Sequence, residues 1–297
     1  MNQPTDLLGL IRAPFLILAP ACALLGLGTA VWTTDRIDAF DFLLALIGAV
    51  CAHISVNALN EYHDFKSGLD LRTERTPFSG GSGTLPKKPE LAGLALGAGL
   101  ISMAITGLIG LYFLTVQGTA ILPLGLLGLI VIAIYTRWLT RSPLLCLIAP
   151  GLGFGTLMVM GTDLVLSGGY SWTAFFASLV PFFLVNDLLL LNQFPDAPAD
   201  QSIGRSHYPI VIGRRKSSLI YGSFLLLAYL SIVAGVCLGH LPAATLLGLL
   251  TLPIAVRAAS GAYRHADEPA ELIPYQGMNV ILNIVTPVLV AIGLFVA

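Results

Sequence analysis

Nine long apolar stretches constrain the fold of this chain more than any other feature of its sequence. Each approaches the roughly 20 residues that an α-helix needs to cross the hydrocarbon layer of a membrane. They cover residues 15–33, 39–60, 91–114, 119–136, 142–162, 171–194, 217–239, 241–257 and 276–297. Runs such as 121–134 lack the alternation of apolar and polar residues that a transmembrane β-barrel requires. The sequence therefore predicts an all-α polytopic membrane protein whose nine transmembrane helices form a bundle.

The composition agrees with a protein whose surface faces lipid. Of the 297 residues, 56% are hydrophobic and only 10% are charged, whereas charged residues make up about 25% of a typical soluble domain. The net charge of −1 excludes a basic nucleic-acid-binding protein. The four cysteines stand singly in apolar runs, which indicates neither a disulfide framework nor a CxxC site. We expect the lipid bilayer as a partner and no nucleic acid.

Basic residues are divided very unequally between the two sides of the predicted bundle. The side that carries the N-terminus receives fourteen of the fifteen, namely Arg12, Lys66, Arg72, Arg75, Lys87, Lys88, Arg137, Arg141, Arg205, Arg214, Arg215, Lys216, Arg257 and Arg264. The remaining one, Arg36, falls on the opposite side. By the positive-inside rule, the N-terminus is cytoplasmic and the C-terminus is outside. We expect a multi-pass protein of the bacterial inner membrane.

Acidic residues gather where the second apolar stretch ends. Asn60 and Asp64 are four residues apart, so they share a face if the helix continues through them. Asp70 follows Gly68, and a turn at this glycine is expected to bring it back toward Asp64. The connection from about 61 to 90 is far longer than a helical bundle needs, which is typical of a functional loop.

The same order of residues recurs where the sixth apolar stretch ends. Asn192, Asp196 and Asp200 are spaced by four residues and are followed by Arg205. Two prolines, at 195 and 198, put an unbroken helix here in question, because proline lacks the backbone donor. The repeat predicts a single domain, 1–297, with two related halves, roughly 1–140 and 141–297. It also predicts that the two helix ends meet around a central cavity open to the cytoplasmic side.

Several carboxylates in one place repel one another unless a cation lies among them. Hard oxygen ligands suit Mg²⁺, which combines one or two carboxylates with waters and phosphate oxygens. The implied guest is a diphosphate, whose oxygens basic residues near the acids can neutralise. These basic residues are Lys66, Arg72, Arg75 and Arg205. The glycine-rich segment 76–83 adds backbone N–H groups that favour an anion, although a flexible turn is an equally good interpretation of it.

These motifs resemble the UbiA superfamily of intramembrane prenyltransferases, whose first motif is NDxxDxxxD-like and whose second is DxxxD-like. The resemblance covers nearly the whole chain, and the matching positions are Asn60, Asp64, Asp70, Asn192, Asp196 and Asp200. It implies that the four aspartates are metal ligands and that the two asparagines help to bind the diphosphate. Glu61 stands where the family usually has Asp, and its longer side chain predicts a supporting role. The prolines in the second motif are a further departure.

The resemblance implies Mg²⁺-dependent transfer of a polyprenyl group from an isoprenoid diphosphate to an aromatic acceptor. Asp64 and Asp196 are the expected catalytic acids, joined by Tyr135 and Arg137, which resemble a tyrosine-plus-base pair of the family. An interfacial aromatic residue beside a basic anchor is the alternative interpretation of that pair. Segment 76–86 looks more like the 1,4-dihydroxy-2-naphthoate branch, in menaquinone biosynthesis, than the 4-hydroxybenzoate branch. Homogentisate and other acceptors remain open.

Two other classes of protein compete with the enzyme interpretation. A cation-coupled secondary transporter also uses intramembrane acids, but it places them near the bilayer midplane. The acids of this chain stand at helix ends beside basic residues, which favours binding of a metal and an anion. A catalytically inactive lipid-binding scaffold would tolerate loss of the acids, yet all six motif positions are present. Helix ends that lie far apart would contradict the enzyme interpretation.

Overall fold

The computed structural model describes residues 4–34 and 38–297, and its regular elements there are all helical, as predicted. The α-helices are α1 Pro4–Leu10, α2 Leu18–Thr34, α3 Ala39–Ser67, α4 Thr84–Lys87, α5 Ala92–Gln117, α6 Leu122–Ile134, α7 Pro143–Gly151, α8 Met160–Ser167, α9 Trp172–Ser202, α10 Tyr208–Val211, α11 Arg214–Cys237, α12 Leu252–Arg264 and α13 Pro269–Phe295. A π-helical segment, Leu152–Val159, joins α7 to α8, and a 3₁₀ segment, Ala243–Thr251, leads into α12. Shorter 3₁₀ turns are Ala13–Phe15, Leu69–Leu71, Pro89–Leu91, Gly118–Ile121 and Leu139–Arg141. Arg36, the basic residue expected on the opposite side, lies outside the described residues.

Eight helical stretches in the described part of the chain are long and apolar enough to cross a membrane. The longest, Pro89–Ile134, has 46 residues and contains both α5 and α6. Gly118, with φ of 67°, separates the two, and a Cβ on Gly107 would lie 3.9 Å from Leu129 Cδ1. Helix α6 therefore folds back along α5. Because α6 has only 13 residues, fewer than a full crossing needs, the count of nine crossings stays a prediction.

A side-chain cap and a glycine set the bounds of α3, the helix that carries the first motif. Asp38 caps α3 by accepting hydrogen bonds from the backbone N–H groups of Phe40 at 2.9 Å and Asp41 at 3.0 Å, an N-cap arrangement that aspartate favours. Gly68 ends α3 in the left-handed conformation, with φ of 75°. The predicted end at residue 60 is therefore wrong by seven residues. Asn60 and Asp64 lie on the last turns of this long helix, and Asp70 follows in the 3₁₀ turn after Gly68.

Helix α9 continues through the second motif, although the sequence predicted a span that stops at 194. It runs unbroken over Trp172–Ser202. Pro195 cannot donate to the carbonyl of Leu191, its partner one turn earlier. The side-chain amide of Gln276 in α13 donates to that carbonyl instead, at 3.5 Å, which helps to explain why the helix persists. The predicted connection 195–216 is correspondingly shorter, because it begins only after Ser202.

Other predicted bounds also shift. The eighth predicted stretch, 241–257, is a 3₁₀ segment followed by α12, which extends to Arg264. The ninth begins at Pro269 rather than at 276, and the fifth combines α7, the π-helical segment and α8. In each case the helical structure includes polar residues at one end of the apolar stretch, so the apolar stretch is shorter than the helix.

The largest buried core lies between α2, α9, α11, α12 and α13, where Leu25, Leu184, Tyr221 and Leu282 are fully buried. The end of α7 and the π-helical segment approach α9 very closely, since a Cβ on Gly151 in α7 or on Gly155 in the π-helical segment would collide with the backbone of Phe182. Small residues permit such contacts between membrane helices. Helices α3, α5 and α6 stand on the other side of α8 and the π-helical segment, and the cavity described below lies between these two groups.

Candidate active site

Arg205 joins the ends of α3 and α9. One guanidinium nitrogen, Nη1, donates to Asp200 Oδ1 at 2.8 Å, and the other, Nη2, donates to Asp64. Burial by itself lowers the pKa of Arg205, but the adjoining Asp64 and Asp200 outweigh this effect and raise it. The two motifs, far apart in sequence, therefore meet on either side of one permanently charged group. Such paired, charge-assisted contacts also fix the geometry of arginine.

Glu61 links the glycine-rich loop, residues 76–83, to the segment before α2 by hydrogen bonds. Its Oε1 accepts hydrogen bonds from Arg12 Nε at 2.7 Å and from the backbone N–H of Ser82 at 2.8 Å, and its Oε2 accepts from Ser82 Oγ at 2.6 Å. The side chain is fully buried. Arg12 also donates from Nη2 to Asn60 Oδ1 at 2.8 Å. Both oxygens of Glu61 are thus engaged by protein donors, which fits the supporting role expected for this residue.

Two consecutive glycines of the loop lie against carboxylates of different motifs. The backbone N–H of Gly80 donates to Asp196 Oδ2 at 3.2 Å. A Cβ on Gly81 would stand only 3.0 Å from Asp70 Oδ1. Both glycines have positive φ, 83° and 72°, a conformation that side chains disfavour. Glycine is therefore required here for the loop to lie between Asp70 and Asp196.

The carboxylates differ in how many of their oxygens are engaged. Asp70 Oδ2 and Asp196 Oδ1 are buried without a hydrogen-bond partner in the described chain. Burial raises the pKa of Asp70 to about 7, and the nearby charges of Asp64 and Glu61 add to this effect. Both oxygens of Asp200 have a partner, because its Oδ2 lies 2.9 Å from His207 Nε2 and its Oδ1 accepts a hydrogen bond from Arg205. Each motif therefore contributes at least one unengaged carboxylate oxygen.

The donor set fits Mg²⁺ that binds together with a diphosphate. Within 4–34 and 38–297, no three His, Cys, Asp or Glu side chains stand close enough to form a complete metal site. Mg²⁺ does not require one, because it commonly takes one or two carboxylates and completes its shell with phosphate oxygens and waters. Asp70 and Asp196 supply hard oxygen atoms that lack partners. The predicted ligand role of Asp64 and Asp200 stays a prediction.

An elongated cavity of about 410 Å³ begins beside the acids. Its polar end is lined by Arg12, Asn60, Tyr135 and Asn192, and its far end by residues such as Phe113. On α3 the lining extends from Asn60 back to Ala45, which is about 22 Å along a helix. The rest of its wall is largely hydrocarbon. A charged head at the polar end and an apolar chain inside are the groups that such a cavity accommodates, and the side to which it opens stays a prediction.

Several predicted site residues do line this junction. Asn60, Asn192 and Tyr135 are at the polar end of the cavity, and Arg205 is between the motifs. Asn192 Oδ1 accepts from Gln276 Nε2 at 3.3 Å. The sequence missed three participants, which are Arg12, Ser82 and His207. The sequence held only two weak signals for these residues. Arg12 stands just before the first apolar stretch, and Ser82 stands among glycines.

Other predicted basic residues lie apart from the carboxylates. Lys66 is exposed, with its ammonium 5.8 Å from the centre of the Tyr62 ring. Arg72 is also exposed and donates to Ser202 Oγ at 3.1 Å. Arg137 is exposed. Their predicted roles in catalysis or diphosphate binding have no support from these contacts.

Arg75 is a different case. Its side chain packs against the backbone of Gly80 and Gly83, and its charge acts on Asp70. An exposed guanidinium beside the glycine loop is within reach of an anion that binds there. The predicted role of Arg75 in diphosphate binding therefore stays open.

Comparison with known proteins gives a family and two curated relatives. The model of the UbiA prenyltransferase family matches residues 19–281. The 1,4-dihydroxy-2-naphthoate octaprenyltransferase of Bacillus subtilis is 25% identical over 268 residues, which are 88% of this chain and 83% of the relative. The 2-carboxy-1,4-naphthoquinone phytyltransferase of a Synechocystis species is 22% identical over 296 residues, which are 96% of this chain and 92% of the relative.

Solved structures show the same fold. A structure reported for digeranylgeranylglyceryl phosphate synthase has a TM-score of 0.68 at 14% identity and covers 99% of both chains. A UbiA homolog from Archaeoglobus fulgidus, bound to DMAPP and Mg²⁺, has a TM-score of 0.59 at 13% identity and covers 96% of this chain and 99% of its own. At such low identity these likenesses establish the architecture alone.

Proposed function

The chain belongs to the UbiA prenyltransferase family, and from this we propose that it transfers a polyprenyl group from an isoprenoid diphosphate to 1,4-dihydroxy-2-naphthoate, with Mg²⁺ as cofactor. The observation that carries the proposal is the meeting of two acid-bearing helix ends beside one apolar cavity. Both curated relatives are named for naphthalene-type substrates, which supports the choice of acceptor. The bound DMAPP and Mg²⁺ of a structural neighbour support the donor and the metal.

In this proposal the diphosphate binds between the two motifs. Asp70 and Asp196 would hold Mg²⁺ through their unengaged oxygens, and Asp64 lies near Asp70. When bound, the metal acts as a Lewis acid that stabilises the charge of the departing diphosphate. Arg205 and Arg12 place two further positive charges at this point, and Asp200 and Glu61 hold them there. Preorganised charges of this kind are a major source of catalysis.

The cavity receives the polyprenyl chain and keeps water from the reacting carbon. The bond between C1 of the donor and its oxygen breaks, and the diphosphate leaves with the electron pair. A ring carbon of the acceptor then gives its π electrons to form the new bond to C1. The same carbon loses a proton to a base or, if it carries the carboxylate, CO₂, and the electron pair left in the ring restores aromaticity. Exclusion of water matters because an allylic cation reacts readily with it. Tyr135, at the boundary between acids and cavity, stands where these reactants meet.

The proposal is tested by assaying the purified protein in lipid nanodiscs with Mg²⁺ and several prenyl diphosphates. The acceptors are 1,4-dihydroxy-2-naphthoate, 4-hydroxybenzoate and homogentisate, and products are read by mass spectrometry. We expect a prenylated product from the naphthoate, and none when EDTA replaces Mg²⁺. A product from another acceptor alone would refute the naphthoate assignment. Failure with every donor and acceptor would refute transfer itself.

We also propose that the acidic helix ends face the cytoplasm, as the distribution of basic residues indicates. The C-terminus then lies outside. Reporter fusions at the C-terminus test this orientation, since alkaline phosphatase is active only outside the inner membrane. The acids of the two motifs do not favour a cation-coupled transporter, because they are gathered at helix ends against Arg205 and Arg12. Asp187, which is buried near the middle of α9, belongs to neither motif.

A further inference from the structure

His53 is an exception among the polar residues that line the cavity. It lies on α3, its exposed fraction is 5%, and its Nδ1 has no hydrogen-bond partner in the described chain. Neighbouring polar groups are engaged: Asn57 donates to the carbonyl of Ile11 at 3.0 Å, and Asn60 bonds both Arg12 and Thr136. A buried polar atom without a partner is uncommon and requires an explanation.

The prenyl donor does not supply the missing partner. His53 stands seven residues before Asn60 and eleven before Asp64, which are about 10 and 16 Å along a helix. A diphosphate bound among the acids is therefore too distant to reach the imidazole, and the polyprenyl chain is a hydrocarbon. Of the reactants, only the acceptor brings hydrogen-bonding atoms into this part of the cavity.

The wall beside His53 is suited to a flat ring. The ring of Phe154 meets the imidazole edge-on, with centroids 4.6 Å apart and an angle of 78° between the planes. Phe154 belongs to the π-helical segment, and π-helical turns are frequent at functional sites. The start of this segment is fixed because Asn186 Oδ1 accepts from the backbone N–H of Gly151 at 2.6 Å. The two rings thus form a fixed corner with one polar atom in an otherwise apolar wall.

We propose that His53 and Phe154 form the binding site for the ring of the aromatic acceptor, and that His53 positions the acceptor by a hydrogen bond to a ring hydroxyl. Neutral imidazole offers one donor and one acceptor nitrogen, so it can pair with a hydroxyl in either direction. Phe154 packs against the apolar part of the ring. The inference rests on the proposed transfer to an aromatic acceptor, but not on the identity of that acceptor.

The test compares His53→Leu and His53→Asn with the wild-type protein in the transfer assay. Leu fills much of the same volume without a polar atom, whereas Asn retains one. We expect His53→Leu to raise the KM for the acceptor about tenfold or more, as loss of a hydrogen bond in a polar site does. The KM for the prenyl diphosphate should change less than twofold, and His53→Asn should recover part of the loss. An acceptor with methylated hydroxyls should be used poorly by the wild-type protein and equally poorly by His53→Leu.

Ser55→Ala is the matched control on the same helix. Its hydroxyl donates to the carbonyl of Gly99 at 2.8 Å, away from the cavity lining, so both KM values should be unchanged. Thermal unfolding of each variant in detergent establishes that the fold is retained, and His53→Gln replaces any variant that does not fold. Unchanged acceptor KM, or equal rises for donor and acceptor, would overturn the assignment. A wild-type protein without any transferase activity would instead indicate failure of the proposed function.

Discussion

The end of α3 and the end of α9 present the same order of residues with different contacts. At the first, Glu61 has both oxygens engaged by Arg12 and Ser82. At the second, the equivalent position is Gln193, whose amide donates to Cys146 Sγ at 3.3 Å. The fully engaged carboxylate there is Asp200, two turns after Asn192. The same order of residues in the two motifs therefore does not give equal roles to corresponding residues.

The comparison separates carboxylates that support the site from those that are available to a ligand. Glu61 and Asp200 hold arginines and the loop in place. Asp70 and Asp196 each keep one unpartnered oxygen, and the glycine loop lies between them. The first motif thus provides the supporting Glu61 and the available Asp70, and the second provides Asp200 and Asp196 in the same two roles. Asp64 of the first motif also accepts from Arg205. A site built in this way requires both ends, and the substitutions below test that division.

The largest effect is expected from neutralising an available carboxylate. Asp70→Asn and Asp196→Asn keep the size of the side chain but remove its charge, so Mg²⁺ loses an anionic ligand and the diphosphate that binds with it is bound less tightly. We expect transfer to fall roughly 10³-fold, within the range for removal of a group that stabilises transition-state charge. The assay is Mg²⁺-dependent transfer at saturating donor, with thermal unfolding as the measure of fold.

Asp163→Asn is the control for that prediction. Asp163 is also buried, but it lies in α8 and accepts from Ser171 Oγ at 2.9 Å. Its neutralisation should leave transfer within about twofold of wild type, as expected for a group outside the reaction site. Comparable loss of activity in Asp163→Asn and Asp196→Asn would show that buried charge in general, not the available oxygen, explains the effect.

Arg205→Lys is expected to have the next largest effect, on binding of the prenyl diphosphate. Lysine carries its charge at one point and cannot make the forked contact to Asp64 and Asp200. We expect the KM for the prenyl diphosphate to rise about 10²-fold, an extent typical when a residue that orients a site is lost. The KM for the acceptor should change much less. Equal rises in both values would contradict a role in diphosphate binding.

Intermediate effects are expected when the glycine loop is released from α3. Glu61→Gln and Ser82→Ala each remove part of the contact that joins them, and each should lower transfer roughly 10-fold, at the lower end for residues that support a metal site. Because Ser82→Ala affects only the contact that Glu61→Gln also weakens, the double variant should be little worse than Glu61→Gln alone. Fully additive losses, together with a raised Mg²⁺ requirement in Glu61→Gln alone, would identify Glu61 as a direct metal ligand.

The smallest effect is expected from Lys66→Ala. The ammonium is exposed over the Tyr62 ring, and such a contact contributes little at the surface. Transfer and the donor KM should stay within about twofold of wild type, since surface substitutions away from a site are usually mild. A tenfold rise in the donor KM would restore Lys66 to the diphosphate site that the sequence predicted for it.

The sequence predicted those parts of the site that follow from local spacing. Apolar stretches predicted the helices, and four-residue intervals predicted which acids share a helix face. The meeting of the two helix ends followed from the repeat. Continuation of α9 through Pro195 was not predictable, because it depends on Gln276 from a distant helix. The end of α9 was consequently placed too early. The end of α3 was also placed too early, because the helix continues past its apolar stretch to Ser67.

The division of roles among the acids was also beyond the sequence. It depends on contacts between residues far apart in the chain, such as those of Arg12 with Glu61 and of Gly80 with Asp196. Basic residues near the acids in sequence, including Lys66 and Arg72, lie elsewhere in space. Nearness along the chain selected Arg205 correctly, because it does contact Asp200, but it gave no sign of Arg12 or of the contact between Arg205 and Asp64.

The account depends most on joint binding of one ligand by the two helix ends. Isothermal titration of the purified protein with geranyl S-thiolodiphosphate, an unreactive donor analogue, measures this directly. We expect binding in Mg²⁺ that disappears in EDTA and is weakened by at least 10²-fold in both Asp70→Asn and Asp196→Asn, as for loss of a charged ligand contact. Wild-type affinity in either variant, with Mg²⁺ present, would show that a single helix end binds the diphosphate and would contradict the account.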